Sequence, residues 1–203
     1  MSLAKIQLSP EELILVQDAG ILLTKNIIIE KVYTLFGELA SELSVWLKEQ
    51  PPFLTEEILL SSPKISRGEK YKGLPYVMLD YPRCFGKENI FAVRTFFWWG
   101  NYFSVTLHLK GKYQQLYVPF FQKKNQLLAE AGFRLSICGD EWEQDMGSAE
   151  FVTLDKHGKY LPSMQLSEPE FYRLSCPVAF SNWNEIKEIV EGLYKVIFSA
   201  ITG

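Results

Sequence analysis

Two runs rich in β-branched and aromatic residues, NIFAVRTFFWW at residues 89–99 and YFSVTLHL at residues 102–109, constrain the fold most tightly. Such runs suit a pleated, half-buried surface. The Gly100-Asn101 pair between them is a two-residue hairpin signal. With those two residues as the turn, Trp99 faces Tyr102, Phe97 faces Ser104, Thr95 faces Thr106 and Val93 faces His108. Opposed residues share a sheet face. This register predicts a core face of Ala92, Arg94, Phe96, Trp98, Phe103, Val105, Leu107 and Leu109. The other face then carries Phe91, Val93, Thr95, Phe97, Trp99, Tyr102, Ser104, Thr106 and His108. It is too polar for a deep core and too aromatic for plain solvent. It reads as a face covered by another segment or subunit, with a ligand groove as the alternative. Trp99 and Tyr102 are expected to be more exposed than Phe96, Trp98, Phe103, Val105 and Leu107. Arg94, on the presumed core face, needs a partner, because an unpaired buried charge is costly. Asp80 is the expected one; a bidentate grip on an anion is the alternative.

Helices flank this block. Ser9, Pro10 and Glu12 in SPEE announce a capped helix that Gly20 is expected to end. Val32, Leu35, Phe36, Leu39, Leu43, Trp46 and Leu47 recur at helical spacing and predict a second helix over residues 24–49, stopped by Pro51 and Pro52. The prolines, glycines and cations of SSPKISRGEKYKGLP read as an exposed loop. PYVMLDYP, between prolines, reads as a strand, and so do FRLSICG and EFVTLDK. Pro119 is expected to open a helix that Gly132 closes. For FYRLSCPVAF an edge strand tolerating Pro177 is preferred over a helix capped by Ser167 and Glu170. The final helix is expected to be capped by Asn182 and Glu185 and to bury Trp183, Ile186, Ile189, Val190 and Leu193. The prediction is one α+β domain over residues 1–203: an antiparallel sheet with N-terminal helices and a C-terminal helix packed on one face.

The net charge of -3 conceals a strong asymmetry. Residues 1–63 carry -5, residues 64–124 carry +8 and residues 125–170 carry -6. Either the acidic flanks fold against the basic third, which is the preferred reading, or the basic third is an exposed field for an anion. The apolar run AGILLTKNIIIEK is interrupted by Lys25 and Asn26 and is too short to span a bilayer. The start of the chain lacks a basic leader and a small-residue cleavage site, so no secretory signal is expected. Cys84, Cys138 and Cys176 are widely spaced and odd in number, which suits a reduced, cytoplasmic protein.

Phosphate loops, dinucleotide turns, zinc histidine pairs and serine elbows are all absent from the sequence, so no cofactor or metal is expected. GDEWEQDMGSAE does not match calcium-loop spacing and reads as a solvated acidic loop. A nucleophilic Cys84 activated by His108 or His157 is a minor reading beside a buried thiol, and His157 reads as a turn residue. Lys64, Arg67, Lys70 and Lys72 cluster around Tyr71, yet one short cluster in an acidic chain makes nucleic acid an unfavoured partner. The leading reading is a non-enzymatic domain that binds an anionic small molecule or a protein. Its ligand residues would be Arg67, Lys70, Arg94, Trp99 and Tyr102, with the basic loop folded over the mixed hairpin face. The alternatives are an enzyme acting on a carboxylated or phosphorylated substrate with His108 as acid or base, and an assembly subunit forming a homo-oligomer through the hairpin aromatics.

Overall fold

A computed structural model describes residues 6–50, 53–137, 139–148, 150–154 and 169–202. The strands are β1 (Lys64–Tyr71), β2 (Leu74–Phe85), β3 (Ile90–Trp98), β4 (Tyr102–Lys110), β5 (Arg134–Ser136), β6 (Val152–Thr153) and β7 (Phe171–Val178). They form one antiparallel sheet in the order β1-β2-β3-β4-β7-β5-β6. The helices are α1 (Pro10–Gln17), α2 (Ala19–Glu49), α3 (Glu56–Leu59), α4 (Lys112–Lys123), α5 (Asn125–Glu130) and α6 (Ile186–Thr202). The α+β architecture expected from the sequence is therefore present, with helices at both ends of the described chain.

The capping box of α1 forms as read: the Glu12 N–H donates to Ser9 Oγ at 3.2 Å and the Ser9 N–H donates to the Glu12 carboxylate at 2.7 Å. Gly20 does not end this helix. Asp18 interrupts the helix, accepts from the Gly20 N–H at 2.8 Å and caps α2, which starts at Ala19, five residues before the predicted start at residue 24. Along α2, Val32, Phe36, Leu39, Leu43 and Leu47 are buried as their spacing requires. Pro119 lies inside α4 rather than at its start. Asn182 falls within a 3-10 turn, Phe180–Glu185, that leads into α6, so the anticipated cap there is absent. Ile186, Val190 and Leu193 are buried, whereas Trp183 and Ile189 are half-buried against the core. The Ser167 half of the alternative cap, like His157 and Cys138, lies outside the described residues. FYRLSCPV is a strand as read, but not an edge strand: β7 lies between β4 and β5, and Pro177 is tolerated because β5 pairs only with residues 173–175.

Two further expectations fail on strand geometry. The basic segment is no loop: Lys64–Tyr71 is the edge strand β1, turning through Lys72 and Gly73, both at positive φ, into β2. Prolines do not bound β2, which runs through Pro75 and Pro82, with a register shift between Asp80 and Arg83 that accommodates the missing donor.

The hairpin register is one residue off the predicted one. Trp98, not Trp99, opposes Tyr102, and Phe97 opposes Phe103, so the loop holds Trp99, Gly100 and Asn101. Gly100 alone of these takes a positive φ, 74°, and the Asn101 N–H donates to the Trp98 carbonyl at 3.0 Å. A three-residue connection with one left-handed position replaces the two-residue turn. Because side chains alternate, the slip exchanges the β3 partners of every β4 residue. Phe91, Val93, Thr95 and Phe97 join Phe103, Val105, Leu107 and Leu109 under α2 and α6, in the hydrophobic core with Phe36, Leu39 and Ile197. Ala92, Arg94, Phe96 and Trp98 share the opposite face with Tyr102, Ser104, Thr106 and His108. The expected burials nonetheless hold. Phe96 and Trp98 are buried on the second face, and Trp99 and Tyr102 remain half-exposed.

A candidate anion pocket under an acidic strap

The register assembles the second face row by row. Asp80, Arg94, Thr106, Ser175 and Arg134 stand abreast on five neighbouring strands. The adjacent row holds Ala92, His108, Arg173 and Ser136. Alternation within β7 puts Arg173 and Ser175 on this face while Tyr172, Leu174 and Cys176 enter the core. Asp80, Thr106, His108, Arg173 and Ser175 are all buried. Arg94 meets Asp80 in a forked pair, Nε to Oδ1 at 2.7 Å and an Nη to Oδ2 at 3.1 Å, as the sequence suggested.

The cover is the acidic segment 139–148. It is not a solvated loop but a strap tied to the sheet. The Tyr71 hydroxyl accepts from the Gln144 and Asp145 N–H groups at 2.8 and 3.1 Å and donates to Glu143. The Tyr102 hydroxyl accepts from the Met146 N–H at 2.8 Å and donates to the Gln144 carbonyl at 3.0 Å. Lys72 pairs with Glu143 at 3.1 Å and Asp145 at 2.9 Å, and Lys110 pairs with Glu141 at 2.8 Å. Arg134 donates to the Met146 carbonyl at 3.0 Å. The strap thus brings acidic charge onto the basic third of the chain. Burial works against the Glu143 charge, but the Tyr71 hydroxyl, the Asp145 N–H and Lys72 outweigh it and hold its pKa below the ordinary value. Lys72 does the same for Asp145.

Between strap and sheet lies a cavity of about 10 Å³ lined by Phe85, Ala92, Arg94, Thr106, His108, Gln144 and Arg173. That is room for about one water. The Arg173 guanidinium donates to the Asp140 and Glu143 carbonyls. Among the described residues no carboxylate lies within salt-bridge distance of it. Burial and the neighbouring Arg94 bring its pKa down to about 10. The His108 Nε2 stands 3.2 Å from a Glu141 oxygen, yet neither atom has a properly directed hydrogen bond. Burial, reinforced by the charges of Arg173, Arg94 and Lys110, lowers the His108 pKa to about 3. The Gln144 amide donates to the Trp142 carbonyl, while its buried Oε1 lacks a partner. Trp142 roofs the site, 5.1 Å from the His108 ring and 5.8 Å from the Arg94 guanidinium.

Of the residues named from sequence, Arg94, His108 and Tyr102 come together here. Arg67 and Lys70 do not. Arg67 lies on the helix face of β1, pairs with Glu30 at 2.6 Å and sits 5.9 Å from the Tyr33 ring, while Lys70 is exposed on the edge strand. Trp99 stays in the hairpin loop, edge-on to Phe97. Cys84 sits on the helix face, opposite His108, and burial raises its thiol pKa, which removes the arrangement a nucleophile would need. Among the described residues no three His, Cys, Asp or Glu side chains converge as metal ligands would, and no helix is long and apolar enough to cross a membrane. Sequence reasoning missed Arg173 and Gln144. The Arg173 signal was present in FYRLSC, where an arginine and a serine alternate with apolar residues.

No known protein family matches the chain, and neither the curated proteins nor the solved structures contain a match to it.

Proposed function

We propose that the protein is a binding module that takes a small anion, of the carboxylate or phosphate class, onto Arg94 and Arg173 when the 139–148 strap lifts. One observation carries this reading: a guanidinium that is 1% exposed, lines a small cavity with Arg94, Thr106, His108 and Gln144, and has only backbone carbonyls as acceptors among the described residues. A buried cation without an anion is expensive, and a bidentate carboxylate or phosphate would relieve that cost. Arg94 is already forked to Asp80 and would contribute charge more than new hydrogen bonds. Gln144 of the strap lines the same cavity, which has room for about one water, so an anion would have to displace the strap and binding would be linked to its opening.

The competing enzyme reading gains no support from His108. An imidazole with a pKa near 3 stays neutral at ordinary pH and is a weak base, far from the value that serves general acid–base catalysis. Assembly through the hairpin aromatics would have only the half-exposed Trp99 and Tyr102 to use, since Phe97 packs on Phe180 and Trp183, and Trp98 packs on Tyr71 and Tyr102.

The test is a thermal-shift and calorimetric titration with inorganic phosphate, sulfate and succinate against chloride at matched ionic strength. A saturable rise in Tm with one of the three anions, lost in Arg173→Met, is the expected result. No rise beyond that in chloride, or an equal rise in Arg173→Met, would overturn the proposal.

A further inference from the structure

The N-terminal helices end in a surface that none of the other described residues covers. No residue of α1 is buried, and none of the first ten residues of α2 is either. Ten large apolar side chains between residues 6 and 27 are exposed; Leu13, Ile14 and Val16 on α1 are 48%, 67% and 68% exposed, and Leu22, Leu23 and Ile27 on α2 are 63%, 61% and 57%. Burial on α2 begins at Ile29, so this apolar pair of helices projects beyond the sheet it serves. Ten aliphatic side chains at roughly 100 Å² apiece present on the order of 1,000 Å². The largest apolar patch on an ordinary monomer is ~300–600 Å², and a standard stable interface buries ~800 Å² per partner.

We infer that this surface is a homodimer interface, in which the α1 and α2 N-terminal segments of two copies pack against each other about a two-fold axis. Helices that are apolar on all sides belong in an interior, and two-fold pairing supplies one because each copy offers the same apolar surface. The available area meets what a dimer of ordinary size needs. Charge argues against other occupants. Residues 6–24 contain no Lys or Arg, and their carboxylates, Glu11, Glu12 and Asp18, are engaged in local caps. A helix that lies on an anionic membrane or follows a nucleic acid carries a basic polar face, which is missing here. The two-fold contact leaves the anion pocket free, because that pocket lies on the sheet face opposite α2.

Light scattering coupled to gel filtration on the full chain, run over a concentration series, tests the inference. The expected result is a mass twice that of the chain, falling to one chain mass at the same concentrations in Ile14→Glu/Leu22→Glu, with an unchanged far-ultraviolet circular dichroism spectrum. If that variant loses helicity, Ile14→Gln/Leu22→Gln, with two good helix formers, makes the same comparison. A native chain that stays at one chain mass up to its solubility limit would overturn the inference. So would a dimer that survives the folded variant, or a native monomer that co-sediments with phosphatidylcholine vesicles.

Discussion

His108 is 5% exposed and lies among three cations, which is why its pKa falls to about 3. An unfolded histidine titrates near ~6.5, so between these values the unfolded chain binds a proton that the folded chain does not. Stability from this residue is therefore complete above about pH 6.5 and is lost as the pH falls toward 3, at up to ~1.4 kcal/mol per pH unit. The His108→Gln variant should flatten the slope of unfolding free energy between about pH 6 and 4, measured by urea denaturation at stepped pH. A His108 ring that titrates near 6.5 by NMR would contradict the burial argument. Arg94 makes a separate prediction. Asp80 has 5% of its side chain exposed, so Arg94→Met strands a carboxylate and should cost about 3–5 kcal/mol. Asp80→Asn combined with Arg94→Met should recover most of that loss, because the stranded charge is gone. Asp80 was legible as the partner from sequence, since β2 and β3 are neighbours in the chain and put the two residues opposite each other. Arg173 was not, because its environment comes from a strap about 30 residues distant and from strand neighbours set only by the sheet order.

The strap is an element held by two tyrosine hydroxyls and a few lysine pairs rather than by regular secondary structure. Tyr71 makes three of its bonds, and burial together with Glu143 raises the phenol pKa, so the hydroxyl stays protonated and keeps donating. In Tyr71→Phe the Gln144 N–H loses its acceptor, at about 1–3 kcal/mol for a stranded polar group, while the Asp145 N–H keeps only the Glu143 carboxylate. Amide hydrogen exchange at Gln144 and Asp145 should accelerate by roughly tenfold or more, while β3 and β4 keep their protection. Equal acceleration across the sheet would mean that the strap does not open as a local unit. The acidic composition of this segment was plain in the sequence, and so was the option that acidic flanks neutralise the basic third. Its local reading as a solvated loop failed because Tyr71, Lys72 and Tyr102, which pin it, lie 40 or more residues away.

Across the whole molecule, α6 and α2 close the helix face of the sheet. Ile197 is fully buried there, so Ile197→Ala should cost about 2–5 kcal/mol in urea unfolding. Ile189→Ala should cost clearly less, because that side chain is only half-buried. The helix spacing, the SPEE cap, the strand-forming runs and the antiparallel α+β class were determined by the sequence itself. Each depends on local backbone preference and on apolar residues recurring at a helical or strand period. Which face of β3 meets which face of β4 was decided by tertiary structure alone. Both faces are buried, one by helices and one by the strap, so alternation carries no sign of inside and outside. Whether Gly100-Asn101 forms a two-residue turn or the end of a three-residue loop then rests on the packing of Phe97 with Phe103 beneath α2 and of Trp98 with Tyr102 beneath the strap. A strand has a period of two, so that single residue moved Arg94 from the presumed core to the face it shares with His108 and Arg173.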